Sequence, residues 1–301
     1  MEKLTELVEL ARKGPVGTLA VAGGHDPDTI QATGRAAREG LVNVVLIADG
    51  DKVSELLDKE GLNADLFTIE HCPDPYEAPR MAVSMVSEGR AHMLMKGLVG
   101  TDVYMRAILH KERGLLPPGG ILSHISILEI PTYHKLLIVS DVAVIPSPDL
   151  KQKVKMVNYC VTAAKQLGIT TPRVAVVTAT EKVSDKMPAT IDAAILSKMA
   201  ERGQIKHAVV EGPLALDVAV SKRACEIKGI QGAVPGDADI LIFPNIETGN
   251  VFYKTANILA RARTAAVVAG TKVPCVLTSR ADDDETKFHS IALAAALASG
   301  S

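Results

Sequence analysis

One strand-to-helix turn has the residue types and spacing that suit an anion. It runs Lys96-Gly97-Leu98-Val99-Gly100-Thr101-Asp102, after an apolar run and before a helix that carries Arg106. Glycines let backbone amides turn toward an anion, and a helix N-terminus adds partial positive charge to the full charges of Lys96 and Arg106. The pattern predicts an oxyanion or phosphate site at Lys96, Gly97, Gly100 and Thr101. The alternative is a plain turn in which Thr101 or Asp102 caps the helix and Arg106 is solvated.

A second turn, Ser279-Arg280-Ala281-Asp282-Asp283-Asp284-Glu285, links the apolar run CVLTS to the last helix. A hydroxyl and a guanidinium at the carboxyl end of a buried strand occupy the usual ligand position of open α/β sheets. Arg280 can hold a phosphate through two hydrogen bonds, and Ser279 can donate to developing negative charge. Helix capping by Ser279 or an Asp explains part of the acidic run, but it explains Arg280 poorly.

Three weaker candidates lie between these turns. Asn250 and Lys254 are four residues apart and can share one face of a helix, although capping by Thr248 or Asn250 is an alternative. Asp141 interrupts an apolar stretch at 135–146, so its carboxylate lies at a strand edge or is buried with a partner. We expect Asn250, Lys254 and Asp141 to contribute to substrate binding.

Several common motifs are missing from the chain. It has no Gly-x-x-x-x-Gly-Lys-Ser/Thr, no complete Gly-x-Gly-x-x-Gly, no Gly-x-Ser-x-Gly and no His-x-x-x-His. The sequence therefore gives no support to the usual kinds of ATP or NAD site or to acyl-serine chemistry, and it predicts no bound metal.

The composition argues against two classes of partner, nucleic acids and membranes. The 301 residues carry a formal charge of only -2 and 3% aromatic residues with no Trp, so we expect no nucleic-acid partner. The longest apolar stretches are shorter than the ~20 residues that span a bilayer, so we expect no membrane partner. The four cysteines form no CxxC pair, which fits a reducing compartment and a cytoplasmic location.

Recurrent aliphatic runs alternate with segments of helical length, which indicates an α/β parallel sheet covered by helices. The runs lie at 18–24, 43–50, 92–97, 135–146, 173–179, 207–213, 238–244, 265–271 and 275–279. The helical segments between them lie at 26–40, 76–90, 149–167, 188–203, 214–228 and 249–262, and the last helix is predicted at 284–298. A Pro-Pro-Gly-Gly junction at 117–120 suggests a boundary. We expect a first domain of 1–116 plus 277–301 and a second of 117–276.

Six segments together resemble the phosphate acetyl/butyryltransferase family, most closely its butyryl-type branch. The segments are MLMKGLVGTDVYMRAIL at 93–109, LSHISILEIPTYHKLLIVSDVAV at 122–144, EKVSDKMPATIDAAILSKMAERGQI at 181–205, EGPLALDVAVSKRACEIKGI at 211–230, GDADILIFPNIETGNVFYK at 236–254 and VPCVLTSRADD at 273–283.

The resemblance implies a two-domain fold like that of the isocitrate and isopropylmalate dehydrogenases, with the active site in the interdomain cleft, and a cytoplasmic homo-oligomer of at least two chains. It implies reversible conversion of acyl-CoA and inorganic phosphate to acyl phosphate and CoA, by thiolate attack in a ternary complex. CoA is then a substrate, and no cofactor is permanently bound. By the same resemblance Ser279, Arg280 and Arg106 are the catalytic residues.

The general base is the point at which the chain departs from the acetyl branch. That branch places an Asp where this chain has Thr286, beside Glu285. Either Asp283 or Glu285 takes the role, or the assignment does not transfer, and the departure favours the butyryl-type branch. The alternatives are a phosphate acetyltransferase, a dehydrogenase of the isocitrate type and a non-catalytic acyl-CoA-binding protein.

Overall fold

Buried strands alternate with helices in the computed structural model, which describes residues 1–279 and 282–299. The strands are β1 (Gly17–Ala22), β2 (Val42–Ala48), β3 (Phe67–His71), β4 (Met93–Lys96), β5 (Ser123–Glu129), β6 (Leu137–Ser140), β7 (Arg173–Thr178), β8 (Val209–Ala215), β9 (Ile240–Ile242), β10 (Arg263–Ala269) and β11 (Cys275–Val276).

The α-helices follow the strands in near-regular alternation. They are α1 (Leu4–Lys13), α2 (Pro27–Arg38), α3 (Gly50–Glu60), α4 (Glu77–Ser87), α5 (Thr101–Ile108), α6 (Leu150–Gln166), α7 (Pro188–Glu201), α8 (Leu216–Val220), α9 (Lys222–Lys228), α10 (Ile246–Lys254) and α11 (Asp284–Ala298). A 3₁₀ turn lies at Ala64–Leu66, and a π-helical turn at Thr255–Leu259 follows α10. Within the described residues, none of the helices combines the length and apolar character that crossing a membrane requires.

The chain divides into two units. The first unit comprises Leu4–Leu122 and the chain from Ala265 onward, and the second comprises Met1–Lys3 and Ser123–Thr264. Strand β11 pairs with β4, and β10 pairs with β11, so both strands extend the first unit's sheet.

In the first unit the strand order is β3-β2-β1-β4-β11-β10. The pairs from β3 to β11 are parallel, whereas β10 runs antiparallel to β11. The aliphatic residues of β1, β2 and β4 are buried almost completely, as strands covered on both faces require. The chain moves outward from β1 to β3 and then returns to place β4 on the other side of β1. The carboxyl ends of β1 and β4 are therefore a topological switch point, the usual ligand position in such sheets.

Helix α11 is apolar nearly all round because it packs against α1, α2, β4 and β11. Its one lysine, Lys287, is also buried, with 4% of the residue exposed. At its start, Asp283 caps the helix by accepting the amide N–H of Thr286 at 2.8 Å. The capping interpretation of part of the acidic run is therefore correct.

In the second unit the strand order is β5-β6-β9-β7-β8. Strands β6, β9, β7 and β8 are parallel, and β5 runs antiparallel to β6. The core between this sheet and its helices contains Leu137, Val139, Leu241 and Phe243. A reciprocal capping box between Asp149 and Gln152 starts α6.

The predicted α/β class with a mostly parallel sheet is confirmed, and the differences are local. The sequence analysis identified neither α3, β3 nor β5. The helix predicted at 214–228 is wrong as a single element, because β8 continues to Ala215 and Ser221 separates α8 from α9 by capping the latter. The helix predicted at 249–262 begins earlier, at Ile246, where Asn245 rather than Thr248 or Asn250 is the cap.

Candidate functional site

The two predicted turns leave the first unit's sheet at the same edge. Strands β4 and β11 are parallel neighbours, and Val276 pairs with Met95. Lys96 is the last residue of β4, and residues 277–279 follow directly after β11. The structure therefore brings the Lys96 turn and Ser279 together at the carboxyl ends of adjacent strands. Arg280, predicted beside Ser279, lies outside the described residues.

The backbone amides in the first half of the Lys96 turn make hydrogen bonds within the fold. The amide of Gly97 donates to the carbonyl of Ala22 at 2.9 Å, that of Leu98 to Gly23 at 2.6 Å, and that of Val99 to Gly97 at 2.9 Å. A Cβ on Gly97 would lie 2.4 Å from the Gly23 carbonyl oxygen, so only glycine allows this approach. The amides of residues 97–99 are therefore engaged within the fold, by Ala22 at the end of β1, by Gly23 after it and by Gly97 of the turn itself.

In the second half of the turn, the first backbone amides of α5 can act as donors to an anion. Helix α5 begins at Thr101 with Gly100 as its cap, and no side chain caps it. The first amides of an α-helix have no acceptor within the helix, and they carry its positive dipole end. The amides at the α5 N-terminus, beginning at Thr101, are therefore the donors of this turn that are placed for an anion, and anion binding at Lys96, Gly97, Gly100 and Thr101 stays a prediction.

Lys96 and Arg106 contribute in different ways. The Lys96 ammonium is buried and donates to the carbonyls of Gly97 and Val99, at 3.2 and 3.5 Å, so it holds the turn in shape. Arg106 is exposed and pairs with Asp102, one turn earlier on α5, at 2.9 Å. Its guanidinium therefore reaches back toward the α5 N-terminus and is accessible to a ligand.

Ser279 is fixed through its backbone. Its amide donates to Oδ2 of Asp282 at 2.7 Å, and the amide of Asp282 donates to the Ser279 carbonyl at 3.2 Å. The carbonyl of Asp282 accepts from the buried ammonium of Lys287, which also lies 3.8 Å from Asp28 of α2. A three-residue chain of hydrogen bonds thus connects Ser279 to the interior of the first unit.

Tyr104 ties α5 to β11. Its buried hydroxyl donates to the carbonyl of Val276 at 3.1 Å, at the strand end that leads to Ser279. Burial raises the pKa of this phenol well above its usual value, so it stays a donor. Sequence reasoning missed Tyr104, Asp282 and Lys287. The one available signal was a lysine inside an otherwise apolar helix.

The two candidate bases differ in their surroundings. Burial tends to raise the pKa of Asp283, but hydrogen bonds from the amide and hydroxyl of Thr286 and the charges of Lys287 and His289 leave that pKa below its ordinary value. A carboxylate with a lowered pKa is a weaker base. Glu285 lies half-buried in the first turn of α11, where it is not the helix cap.

The weaker candidates Asp141, Asn250 and Lys254 all lie in the second unit. Asp141 is buried and accepts four hydrogen bonds, from the Ser123 hydroxyl and from three backbone amides, those of His124, Ala143 and Val144. This carboxylate is the buried, partnered one of the two expected alternatives, and it joins the start of β5 to the loop after β6.

Asn250 also serves that loop, because its side-chain amide donates to the carbonyl of Val142 at 2.9 Å. Lys254 is exposed at the end of α10, one turn beyond Asn250 on the same face. Of the three, Lys254 is the one whose charged group faces solvent.

The cysteines are unsuited to nucleophilic chemistry at neutral pH. All four are buried, and burial raises the pKa of Cys160 and of Cys275 to about 12. Within residues 1–279 and 282–299, no group of three or more His, Cys, Asp or Glu side chains is arranged to hold a metal ion.

Comparison with known proteins places this chain in a family. The family model described as phosphate acetyl/butaryl transferase matches residues 74–295. The chain belongs to this family. It is 42% identical over 298 residues to the phosphate butyryltransferase of Clostridium acetobutylicum, with 99% of each chain covered. It is 46% identical over 298 residues to the phosphate acetyltransferase of Thermotoga maritima, with 98% of this chain and 99% of that one covered.

Solved structures agree with this membership. A branched-chain phosphotransacylase from Enterococcus faecalis superposes with a TM-score of 0.83 at 32% identity, over 94% of this chain and 99% of that one. A structure described as a 4-hydroxythreonine-4-phosphate dehydrogenase from Salmonella typhimurium shares the fold alone, with a TM-score of 0.59 at 12% identity, over 94% of this chain and 100% of that one. The family resemblance, the dehydrogenase-like fold class and the acyltransferase assignment from the sequence are confirmed.

Proposed function

We propose that this chain catalyses the reversible transfer of a short-chain acyl group between CoA and inorganic phosphate, with butyryl as the favoured group. The observation that carries the proposal is the meeting of the Lys96 turn and Ser279 at one sheet edge, in a chain with near full-length family relatives. Acyl-CoA and phosphate are the substrates, CoA is not permanently bound, and no metal takes part. We also propose a homo-oligomer that works in the cytoplasm, and light scattering of the purified protein tests the oligomer.

The proposed chemistry is direct transfer. In the direction of acyl-CoA synthesis the CoA thiol loses its proton to a base, and the thiolate attacks the acyl carbon of the acyl phosphate. A C–S bond forms, the C–O bond to phosphate breaks, and phosphate leaves with the electron pair. A free thiol has a pKa near ~8.5, so a modest bias toward thiolate is enough at neutral pH. Alignment of thiol and acyl carbon is worth roughly 7 to 11 kcal/mol of the barrier.

The residues at the sheet edge suit the remaining tasks. The first amides of α5, with Arg106 and Arg280, would hold the phosphate, and the Ser279 hydroxyl would donate to the developing oxyanion. Lys96 would act through the turn that it holds. Ser279→Ala and Arg280→Ala should each reduce turnover by about 10²-fold or more with the fold intact, as the loss of one charge-stabilising donor does. Near-normal turnover in either variant would remove that residue from the mechanism.

For the base we propose Glu285, because capping already engages the carboxylate of Asp283. Glu285→Gln should lower turnover and remove the acidic limb of its pH profile, whereas Asp283→Asn should lower stability more than turnover. If both variants keep the wild-type pH profile, neither carboxylate is the base and the thiol loses its proton to solvent.

The experiment that tests the activity is thiol release from acyl-CoA in the presence of phosphate. Acetyl-, propionyl-, butyryl-, valeryl- and branched acyl-CoAs should all be compared, because relatives bearing both acetyl and butyryl names match this chain at 46% and 42% identity. The highest kcat/KM with butyryl-CoA supports the proposal, and the highest with acetyl-CoA makes the chain a phosphate acetyltransferase. Binding of acyl-CoA without thiol release would make it a non-catalytic binding protein.

A further inference from the structure

A cavity of the second unit lies at the carboxyl ends of two adjacent parallel strands. Strand β7 ends at Thr178, and β9 ends at Ile242, which pairs with Val176 of β7. The cavity is lined by residues that follow these strands and has a volume of about 420 Å³. Ligands of open α/β sheets bind outside the carboxyl ends of the strands, and small-molecule sites have volumes of this order. The described lining contains none of the residues proposed above for catalysis.

Most of the cavity wall is apolar. Val177 and Ala179 line it at the end of β7, and Pro244 lines it after β9. Met187 and Ala189 line it at the start of α7. An unbranched Met side chain adapts to ligands of different shape, and the burial of hydrocarbon against such a wall is favourable in proportion to its area. The cavity therefore suits a ligand with a short aliphatic part.

The charge of the cavity comes from Lys186, in the loop before α7. This residue is exposed, and the lining that the structure describes contains no other charged side chain. Among the described residues no carboxylate forms an ion pair with its ammonium, whereas Lys153 of the same unit pairs with Asp192 at 2.6 Å. A ligand with one negative charge would give Lys186 a partner.

The other polar groups of the lining narrow the choice of ligand. The hydroxyls of Thr178 and Thr190 donate to backbone carbonyls and are engaged within the fold. The carboxamide oxygen of Asn245 accepts from the amide and the hydroxyl of Thr248, at 3.0 and 2.7 Å, which leaves the carboxamide NH₂ group as a donor. Because this group and the Lys186 ammonium are both donors, the polar end of the ligand must be an acceptor.

We propose that this cavity binds a short-chain aliphatic monocarboxylate, with its carboxylate on Lys186 and Asn245 and its chain against Val177 and Met187. A phosphate ester fits less well, because bidentate phosphate recognition uses Arg, and the described lining has one ammonium and no guanidinium. Hydrolysis of an acyl phosphate releases the corresponding carboxylate and inorganic phosphate. The acyl transfer proposed above would therefore supply this ligand, but the binding site itself does not depend on that activity.

Saturation-transfer NMR tests the site, because it detects ligands that bind weakly. Acetate, butyrate and hexanoate are titrated into the wild type with inorganic phosphate at saturation, which keeps carboxylates from the anion position proposed at the Lys96 turn. Each methylene buried against the wall should tighten binding about fourfold, so butyrate should bind about 16-fold more tightly than acetate. Butyramide, the uncharged analogue, should bind about tenfold more weakly than butyrate. Equal affinity for the three carboxylates would show an adventitious ion only and would overturn the proposal.

Two substitutions locate the ligand. Lys186→Met should weaken butyrate binding about tenfold and leave butyramide binding unchanged, because Met keeps the hydrocarbon but lacks the ammonium. The matched control is Lys182→Met, which changes an exposed lysine of the same loop outside the lining and should bind butyrate like the wild type. Ala189→Phe fills the cavity and keeps Lys186, so it should weaken the binding of butyrate and butyramide alike.

The outcomes separate this site from the proposed activity. Wild-type affinity for butyrate in either Lys186→Met or Ala189→Phe would overturn the assignment, as would an equal loss of affinity in Lys182→Met. None of these measurements requires turnover. Thiol release without carboxylate binding would remove the site and leave the activity, whereas carboxylate binding through Lys186 without thiol release would remove the activity and leave the site.

Discussion

Replacing Lys287 with Met tests whether Ser279 must be held in place from the interior. The Lys287 ammonium donates to the carbonyl of Asp282, and Asp282 in turn makes two hydrogen bonds with the Ser279 backbone. Met has a similar length and volume, so the substitution removes the donor and leaves the packing of α11 nearly unchanged. The segment after β11 then loses this hydrogen bond to a buried charge.

The effect on stability should be small. A hydrogen bond from a charged donor is worth about 1.5 to 3 kcal/mol, but loss of the ammonium also removes the cost of burying it. The nearby Asp28 is half exposed, so its charge is not left buried without a partner. We therefore expect the free energy of unfolding to fall by about 1 to 2 kcal/mol.

The effect on turnover should be larger. A misplacement of reacting groups by about 1 Å costs on the order of 10²-fold in rate, so we expect kcat to fall about 10- to 100-fold. The assay pairs thiol release at saturating substrate with urea unfolding of the same sample. The matched control is Lys153→Met, because Lys153 is buried on α6 of the second unit and pairs with Asp192 at 2.6 Å. It should lose stability but keep kcat.

Two results would refute the reasoning. The first is a folded Lys287→Met variant with wild-type kcat, which would mean that Ser279 needs no such support. The second is an equal loss of kcat in the Lys153 control, which would make the effect a general consequence of removing a buried lysine.

The sheet could be predicted where burial on both faces produces aliphatic runs, as in β1, β2 and β4. Strand β3 lies at the sheet edge and is only partly buried, so its sequence FTIEH contains no such run. Strand β5 is almost fully buried, yet Ser123, His124 and Ser126 are polar. The hydroxyls of Ser123 and Ser140 are hydrogen-bonded at 3.0 Å, and the hydroxyl of Ser126 is hydrogen-bonded to Nδ1 of His124 at 3.2 Å. These polar side chains are tolerated in the core because each has a hydrogen-bond partner. Such mutual pairing cannot be read from one strand's sequence.

The candidate site, like the sheet, could be predicted from the sequence only in part. Both turns could be found because glycine, charge and hydroxyl groups follow directly after buried strands. It could not be predicted which backbone amides of the Lys96 turn remain available to a ligand. That depends on the approach of Gly97 to Gly23, a contact between two distant loops. The support of Ser279 by Lys287 depends likewise on how α11 packs. The residue types at a strand end can thus be read from the local sequence. Which hydrogen-bond donors and acceptors remain available to a ligand depends on tertiary contacts.

Other substitutions test the remaining parts of the site. Asp141→Ala leaves several buried donors without an acceptor and should lower the free energy of unfolding by about 3 to 5 kcal/mol in urea; a loss below about 1 kcal/mol would contradict its anchoring role. Cys160 and Cys275, whose thiol pKa is raised by burial to about 12, should resist iodoacetamide at pH 7.5 in the native protein and react after unfolding, as mass spectrometry would report; native labelling would contradict their burial. Asp283→Ala should cost about 1 kcal/mol at pH 7, the usual value of a helix cap. Because folding lowers the pKa of Asp283 below its ordinary 3.8, the ionised carboxylate stabilises the fold above that pH, and this contribution disappears as pH falls through the lowered folded-state pKa. The difference between variant and wild type should therefore shrink on going from pH 7 to pH 3, and a constant difference would show that the charge of the cap contributes nothing.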